Sequence, residues 1–350
     1  MSNPDLVHAM RGGIVESFHR GALAIVDVEG TLRLALGDVD RPIFSRSACK
    51  VLQALPLVES GAVEAFGLND DELAMACASH SGEPRHAATA AGVLAKAGLD
   101  ESVLECGTQW PTADAVIKAM AQAGTEPSAL HNNCSGKHAG FVCLGCMLAR
   151  AQGQDARPFL RGYVKPEHPV MREVSAALQA CTGADLAAAP MGIDGCSIPT
   201  YGIALRRLGL AFARVATGVG LTPGRAQAAQ HLRQAVARSP FFVAGTGRFD
   251  TRVMQQLGER VFCKVGAEGV YCAALPEQGL GVAIKMDDGN TNRAAEVVMA
   301  SVIEALVRLD EAEASFMRSL SEVPLRNWNG IEVGALRAAD GFRQTLAKSA

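Results

Sequence analysis

The chain has 350 residues, 49% of them hydrophobic and 20% charged, with a net charge of −3. That apolar content sustains a large buried core and excludes a disordered chain, and without a basic run of five or more residues nucleic acid is not an expected partner. The first residues, Met-Ser-Asn-Pro-Asp, lack a signal-peptide pattern, and no apolar stretch is long enough to span a bilayer, so a cytoplasmic protein with no membrane partner is expected.

In chain order, strand patterns come first: residues 21–28 and 31–36 flank Glu29-Gly30, a two-residue hairpin turn. Pro42-Ile-Phe leads into Ser45-Arg46-Ser47-Ala48-Cys49-Lys50, and the apolar positions Val51, Leu52, Leu55 and Val58 predict a helix over 48–60. Ser47 and Lys50 then share one helical face, a minimal nucleophile and base if burial or a nearby cation keeps the amine neutral. Ser-x-x-Lys spacing recurs by chance, so its weight comes from the rest of the chain. Ala-rich helical patterns follow at 70–79, 87–97, 113–123, 137–152, 169–181, 201–216 and 223–238, punctuated by Pro, Gly and Asn.

Three polar segments interrupt them. Ser79-His80-Ser81-Gly82-Glu83 is either a helix end and loop or a second hydroxyl aimed at the Ser47 site. In His131-Asn132-Asn133-Cys134-Ser135-Gly136-Lys137-His138, the amides and Ser135 can bind a polar substrate or cap the next helix. Met191–Thr200 carries Asp194, which either binds an ammonium group or makes an Asx-turn, and Cys196. Cys134 and Cys196 could supply two thiolates to a soft divalent ion such as zinc, which would need a third ligand. The ten cysteines are otherwise dispersed, as buried small hydrophobes of a reducing compartment are. Cys143-Leu-Gly-Cys146 has the spacing of a metal or redox pair but sits inside an apolar run.

Strand patterns return at 260–267, 269–275 and 280–286, followed by a helix over 290–309 and a last strand at 330–337. Lys264-Val-Gly266 reads as an exposed strand lysine or as an edge that a substrate backbone can approach. Strands at both ends around a helical middle predict an α+β fold. Residues 1–45 and 250–350 would form an antiparallel sheet, and 46–249 a mainly α-helical part. The absence of βαβ alternation and of a Gly-rich phosphate loop argues against nucleotide binding.

A Ser-x-x-Lys helix, a polar mid-chain loop and a late Lys-x-Gly strand occur in the order used by serine β-lactamases. As a set, Ser45–Lys50, Ser79–Glu83, His131–His138, Asp194–Pro199 and Lys264–Gly266 resemble the Rhizobium-type (class 3, thermolabile) L-asparaginases over nearly the whole chain. The resemblance implies a serine β-lactamase-like fold, shared with glutaminases, with a five-stranded antiparallel sheet, and a homodimer. It implies hydrolysis of L-asparagine with Ser47 as nucleophile beside Lys50, and Ser79 and Lys264 as a second pair. It also implies zinc on Cys134, Lys137 and Cys196, with Arg46, His80, Asn133, His138 and Asp194 contacting the substrate. The residues themselves leave open a glutaminase, another Ser–Lys amidohydrolase acting on a β-lactam or peptide, and a non-catalytic relative that binds an amino acid or a metal.

Overall fold

The computed structural model describes residues 2–349. Contacts divide the chain into two compact units. One holds the residues up to Ala48, Gly202–Thr217 and the chain from Arg260 onward; the other holds Cys49–Tyr201 and Gly218–Glu259. Residues 202–217, within the helical middle by sequence, therefore belong with the sheet.

The first unit is built on an antiparallel sheet drawn from both chain ends. Among the described residues it has eight strands rather than five: β1 (Asp5–Arg11), β2 (Ile14–Val26), β3 (Leu32–Leu36), β7 (Phe262–Val265), β8 (Val270–Leu275), β9 (Leu280–Met286), β10 (Glu322–Arg326) and β11 (Glu332–Ala338). Their order is β10-β11-β1-β2-β9-β8-β7, with β3 also paired to β2. The anticipated hairpin is present, Leu23 opposite Leu36. The extra strands include β1 and the first half of β2, where Ile14–Phe18 are all exposed and show no apolar alternation to read. A short strand β4 (Pro42–Phe44) pairs with Gly202–Ala204.

All six residues of β8 are buried, so both faces of the sheet centre are covered. The helix Leu205–Thr217 packs on β9, β2 and β8. Its approach depends on two glycines: a Cβ on Gly281 would lie 2.0 Å from the Gly209 carbonyl oxygen, and one on Gly209 would lie 2.7 Å from Val26 Cγ2.

The second unit is mainly helical around Ser135–Ala151, whose residues from Ser135 to Cys146 are all buried. A helix buried all round has no polar face to lose, and it needs small residues where neighbours cross. A Cβ on Gly136 would lie 2.5 Å from the Met75 carbonyl oxygen, one on Gly140 3.2 Å from Leu57, and one on Gly145 2.4 Å from Leu160. Those glycines seat the helices Asp70–Ala76 and Lys50–Glu59 against the central helix and bring its first turn close to residues 76–80. The segment 191–201 folds as a hairpin, β5 (Met191–Ile193) against the start of β6 (Pro199–Ala204), where an irregular loop was expected.

Candidate active site

The loop before the central helix lies against the residues that leave the helix Asp70–Ala76. His80 N–H donates to the Asn133 carbonyl at 3.2 Å, and Ser79 N–H to the Val243 carbonyl at 2.9 Å. Asn132 anchors the loop from behind: its Nδ2 donates to the carbonyls of Cys106 (2.9 Å) and Gly107 (3.0 Å), and its Oδ1 accepts from Cys134 N–H at 2.9 Å. Asn132 thus fixes the loop rather than capping the helix, whose N-cap residue is Cys134 with no side-chain cap bond. Lys50, the first residue of its helix, is 1% exposed. Its Nζ donates to the Ala78 carbonyl, to Ser79 Oγ at 2.9 Å and to Cys134 Sγ at 3.0 Å. A hydroxyl, an amine and a sulfur thus meet at one buried nitrogen.

Lys137 lies in the first turn of the central helix, and its Nζ donates to Cys196 Sγ at 3.1 Å. The Cys196 thiol in turn bonds Cys134. That bond, with Lys137 and Lys50 nearby, overcomes burial and lowers the Cys134 thiol well below its ordinary value. The same bond and burial push Cys196 up. Burial opposes the charge on Lys137, but Cys134, Cys196 and Asp194 outweigh it and hold the ammonium form. Cys196 reaches this place on the β5–β6 hairpin. There Asp194 N–H donates to the Ile198 carbonyl at 2.8 Å, Ser197 N–H to the Asp194 carbonyl at 2.9 Å, and Asp194 Oδ1 accepts from Gly195 N–H at 2.8 Å. Asp194 therefore shapes the turn as well as facing Lys137. Ser197 takes φ = +75°, a conformation glycine usually supplies, directly after Cys196.

His80 and His138 are both buried. His80 is held well below its ordinary value by burial, then by His86, Lys50 and His131. Its Nδ1 accepts from Gly82 N–H at 3.1 Å and its Nε2 lies 2.9 Å from Ser135 Oγ, so it ties two loops together. His138 is lowered by burial, then by Lys137 and Lys50. Its Nδ1 is 2.7 Å from Tyr163 Oη.

In the first unit, Arg46 and Ser47 are half-buried in a 3₁₀ turn (Arg46–Cys49) that precedes the α-helix, so Ser47 is not in the helix proper. Arg46 has φ = +50°, a strained backbone immediately before the serine. Lys264 on β7 is fully buried, which overturns the exposed-lysine reading, and its Nζ donates to the Val265 carbonyl at 2.8 Å. A Cβ on Gly266 would sit 2.9 Å from the Ser45 carbonyl oxygen and 3.2 Å from Ala48 Cβ. The backbone that Gly266 admits is this chain's own serine turn.

The family model of L-asparaginase II matches residues 7–338. The chain belongs to that family. It is an asparaginase-type amidohydrolase, in agreement with the resemblance carried by its motifs. No curated protein gives a significant match. Among solved structures it is similar to a β-lactamase from Mycobacterium bovis, at 13% identity and a TM-score of 0.41, over 81% of this chain and 93% of the other.

In this asparaginase-family enzyme, Lys50, Ser79, Cys134, Lys137 and Cys196 converge in the second unit, with Asn133 and His80 in the adjoining loops. Asn133 presents its side-chain amide 3.1 Å from Cys134 Sγ. Sequence patterns did not single out three supports of this cluster. The strand-less segment 104–112 backs the His131–His138 loop, Gln109 Oε1 accepting from Asn133 N–H at 3.2 Å and Thr112 N–H donating to the Ser81 carbonyl at 2.9 Å. His86 stacks between His80 (4.8 Å) and Phe241 (4.5 Å). Tyr163 bonds His138. Apart from the stacking of His86 on His80, each contact spans a long sequence separation, which no local period reports.

Proposed function

We propose that the enzyme hydrolyses the side-chain amide of L-asparagine to L-aspartate and ammonia, with Ser47 as the nucleophile and Lys50, Ser79 and Lys264 as its proton-transfer partners. The observation that carries this reading is the buried contact between the Lys50 amine and the Ser79 hydroxyl, in a chain whose family is asparaginase. Ser47 Oγ would attack the carboxamide carbon as a lysine amine takes its proton. The amide nitrogen would leave as ammonia with that proton, and water would then cleave the aspartyl ester. Arg46 would bind the substrate carboxylate and Asp194 the α-ammonium, with His80, Asn133 and His138 around them.

Among the described residues no three His, Cys, Asp or Glu side chains form a metal-binding group, so a metal here depends on Lys137 as third ligand. The donors fit one: two sulfurs and an amine, each at most 4% exposed, in mutual contact, suit a thiophilic ion such as zinc. Zinc on Cys134, Lys137 and Cys196 would supply fixed positive charge for orienting the substrate. Lys137 would have to give up the proton that the sulfurs hold on it, since only a neutral amine can ligate.

We further propose a cytoplasmic homodimer; light scattering of the purified chain at one chain mass would refute the dimer. Among the described residues no helix is long and apolar enough to cross a membrane. The test of the main reading is ammonia release from asparagine and from glutamine, by wild type and by Ser47→Ala. Release from asparagine that Ser47→Ala abolishes is expected. Faster release from glutamine would make the enzyme a glutaminase, and no release from either would turn the reading toward β-lactams or peptides.

A further inference from the structure

Tyr163 lies in the turn between the helices Ala156–Phe159 and Pro169–Thr182, fully buried. Its hydroxyl has two neighbours. Glu105 N–H donates to it at 3.0 Å, and His138 Nδ1 lies 2.7 Å away. The Glu105 N–H can only donate, so Nδ1 is the acceptor for the buried hydroxyl's one proton. A neutral imidazole that accepts at Nδ1 carries its own proton on Nε2. The arrangement is latched from the other side, because Glu105 Oε1 accepts Gly162 N–H at 2.7 Å. It is also joined to the reactive loop, because Asn132 bonds the carbonyls of Cys106 and Gly107 next to Glu105.

His138 is itself fully buried, yet its Nε2 has no hydrogen-bond partner among the described residues. A buried N–H without an acceptor is costly, and the chain has fixed this one in place with a tyrosine. Phe141 and Tyr163 pack their rings at 5.6 Å from the imidazole, which restricts its rotation.

We infer that Tyr163 is a positioning residue: its hydroxyl locks His138 in the Nε2–H tautomer, so that the ring offers a fixed donor to an oxygen of the bound substrate. The substrate half of this inference rests on the asparaginase reading, and the tautomer half does not. The ring does no proton transfer in this role. It selects ligands that place a carbonyl or carboxylate oxygen at Nε2, and it does so without needing to reorganise when they bind.

The test uses full-length protein labelled with [¹⁵N]histidine and long-range ¹H–¹⁵N spectra, the His138 signals being those lost in His138→Gln. Wild type should show the proton on Nε2 in the absence of substrate. Tyr163→Phe should lose that single pattern, and its KM for asparagine should rise about tenfold, roughly one hydrogen bond, with kcat little changed. In His138→Gln, adding Tyr163→Phe should raise KM no further. A wild-type proton on Nδ1, or an unchanged His138 spectrum in Tyr163→Phe, would overturn the inference. The spectra need no turnover, so failure of the asparaginase reading would appear separately, as absent ammonia release beside an intact Nε2–H signal. A Tyr163→Phe chain that fails to fold leaves the wild-type spectrum to decide.

Discussion

Lys50 is the residue on which the proposed chemistry turns, and its surroundings set demands on its neighbours. Its nitrogen meets a carbonyl, a hydroxyl and a sulfur inside the core. Groups that act as a unit lose most activity on removal of any one. Ser47→Ala, Lys50→Ala and Lys264→Ala should therefore each lower kcat by at least ~10³; near-normal turnover in Lys264→Ala would reduce that lysine to a structural part. Zinc is the second expectation at this scale. Purified protein should carry roughly one zinc per chain, and Cys134→Ser should lose it. Stripping the metal should raise KM more than it lowers kcat. Elemental analysis finding none in chelator-free preparations would remove it. The buried histidines give a third. His80, His86 and His138 are all depressed from the ordinary value of 6.5, chiefly by burial. Below about pH 6.5 the unfolded chain binds protons that the native rings refuse. Their contribution is thus full above that pH and is lost as pH falls toward the native values, at up to ~1.4 kcal/mol per pH unit for each group. Melting temperature should fall from pH 7.5 to 5.5, and by less in His80→Gln. A flat profile would mean that these rings already accept protons in the folded state.

At the scale of elements, the glycines of the helical unit separate two effects. Gly136→Ala puts a methyl 2.5 Å from the Met75 carbonyl, a backbone atom that cannot step aside, and should destabilise by ~1–3 kcal/mol. Gly92→Ala, in the helix Pro84–Lys96 with nothing within 4 Å, should stabilise by ~1 kcal/mol. Urea unfolding of both variants reads the sign directly, and equal effects would mean that propensity, not packing, governs both. The same elements show what periodicity can report. The helices Lys50–Glu59, Ser135–Ala151 and Pro223–Arg238 follow their apolar patterns within a few residues of expectation. Tyr201–Ala204 was expected as helix and is strand, because Tyr201 pairs with Met191 across a turn that reads as an irregular polar loop and Gly202–Ala204 pair with Pro42–Phe44, far away in sequence. The 3₁₀ turn at Ser47 follows from the left-handed backbone of Arg46, which nothing in the local pattern announces. The residues of the candidate site were legible as reactive types in polar segments. Tyr163 and Gln109 were not, since an aromatic or an amide in a turn becomes informative only once the residue it bonds is known.

For the whole molecule, family membership sets the reaction class, and the choice among serines remains the sharpest claim. Ser79 is the hydroxyl in contact with Lys50, whereas Ser47 is the one set after a strained backbone and proposed to attack. The two assignments differ in where the covalent intermediate forms. The direct measurement is peptide mass spectrometry of full-length enzyme acid-quenched during turnover of L-asparagine. Attack by Ser47 predicts an aspartyl group on the peptide bearing that serine, absent from Ser47→Ala. An aspartyl group on Ser79, or asparagine hydrolysis that persists in Ser47→Ala, would contradict it.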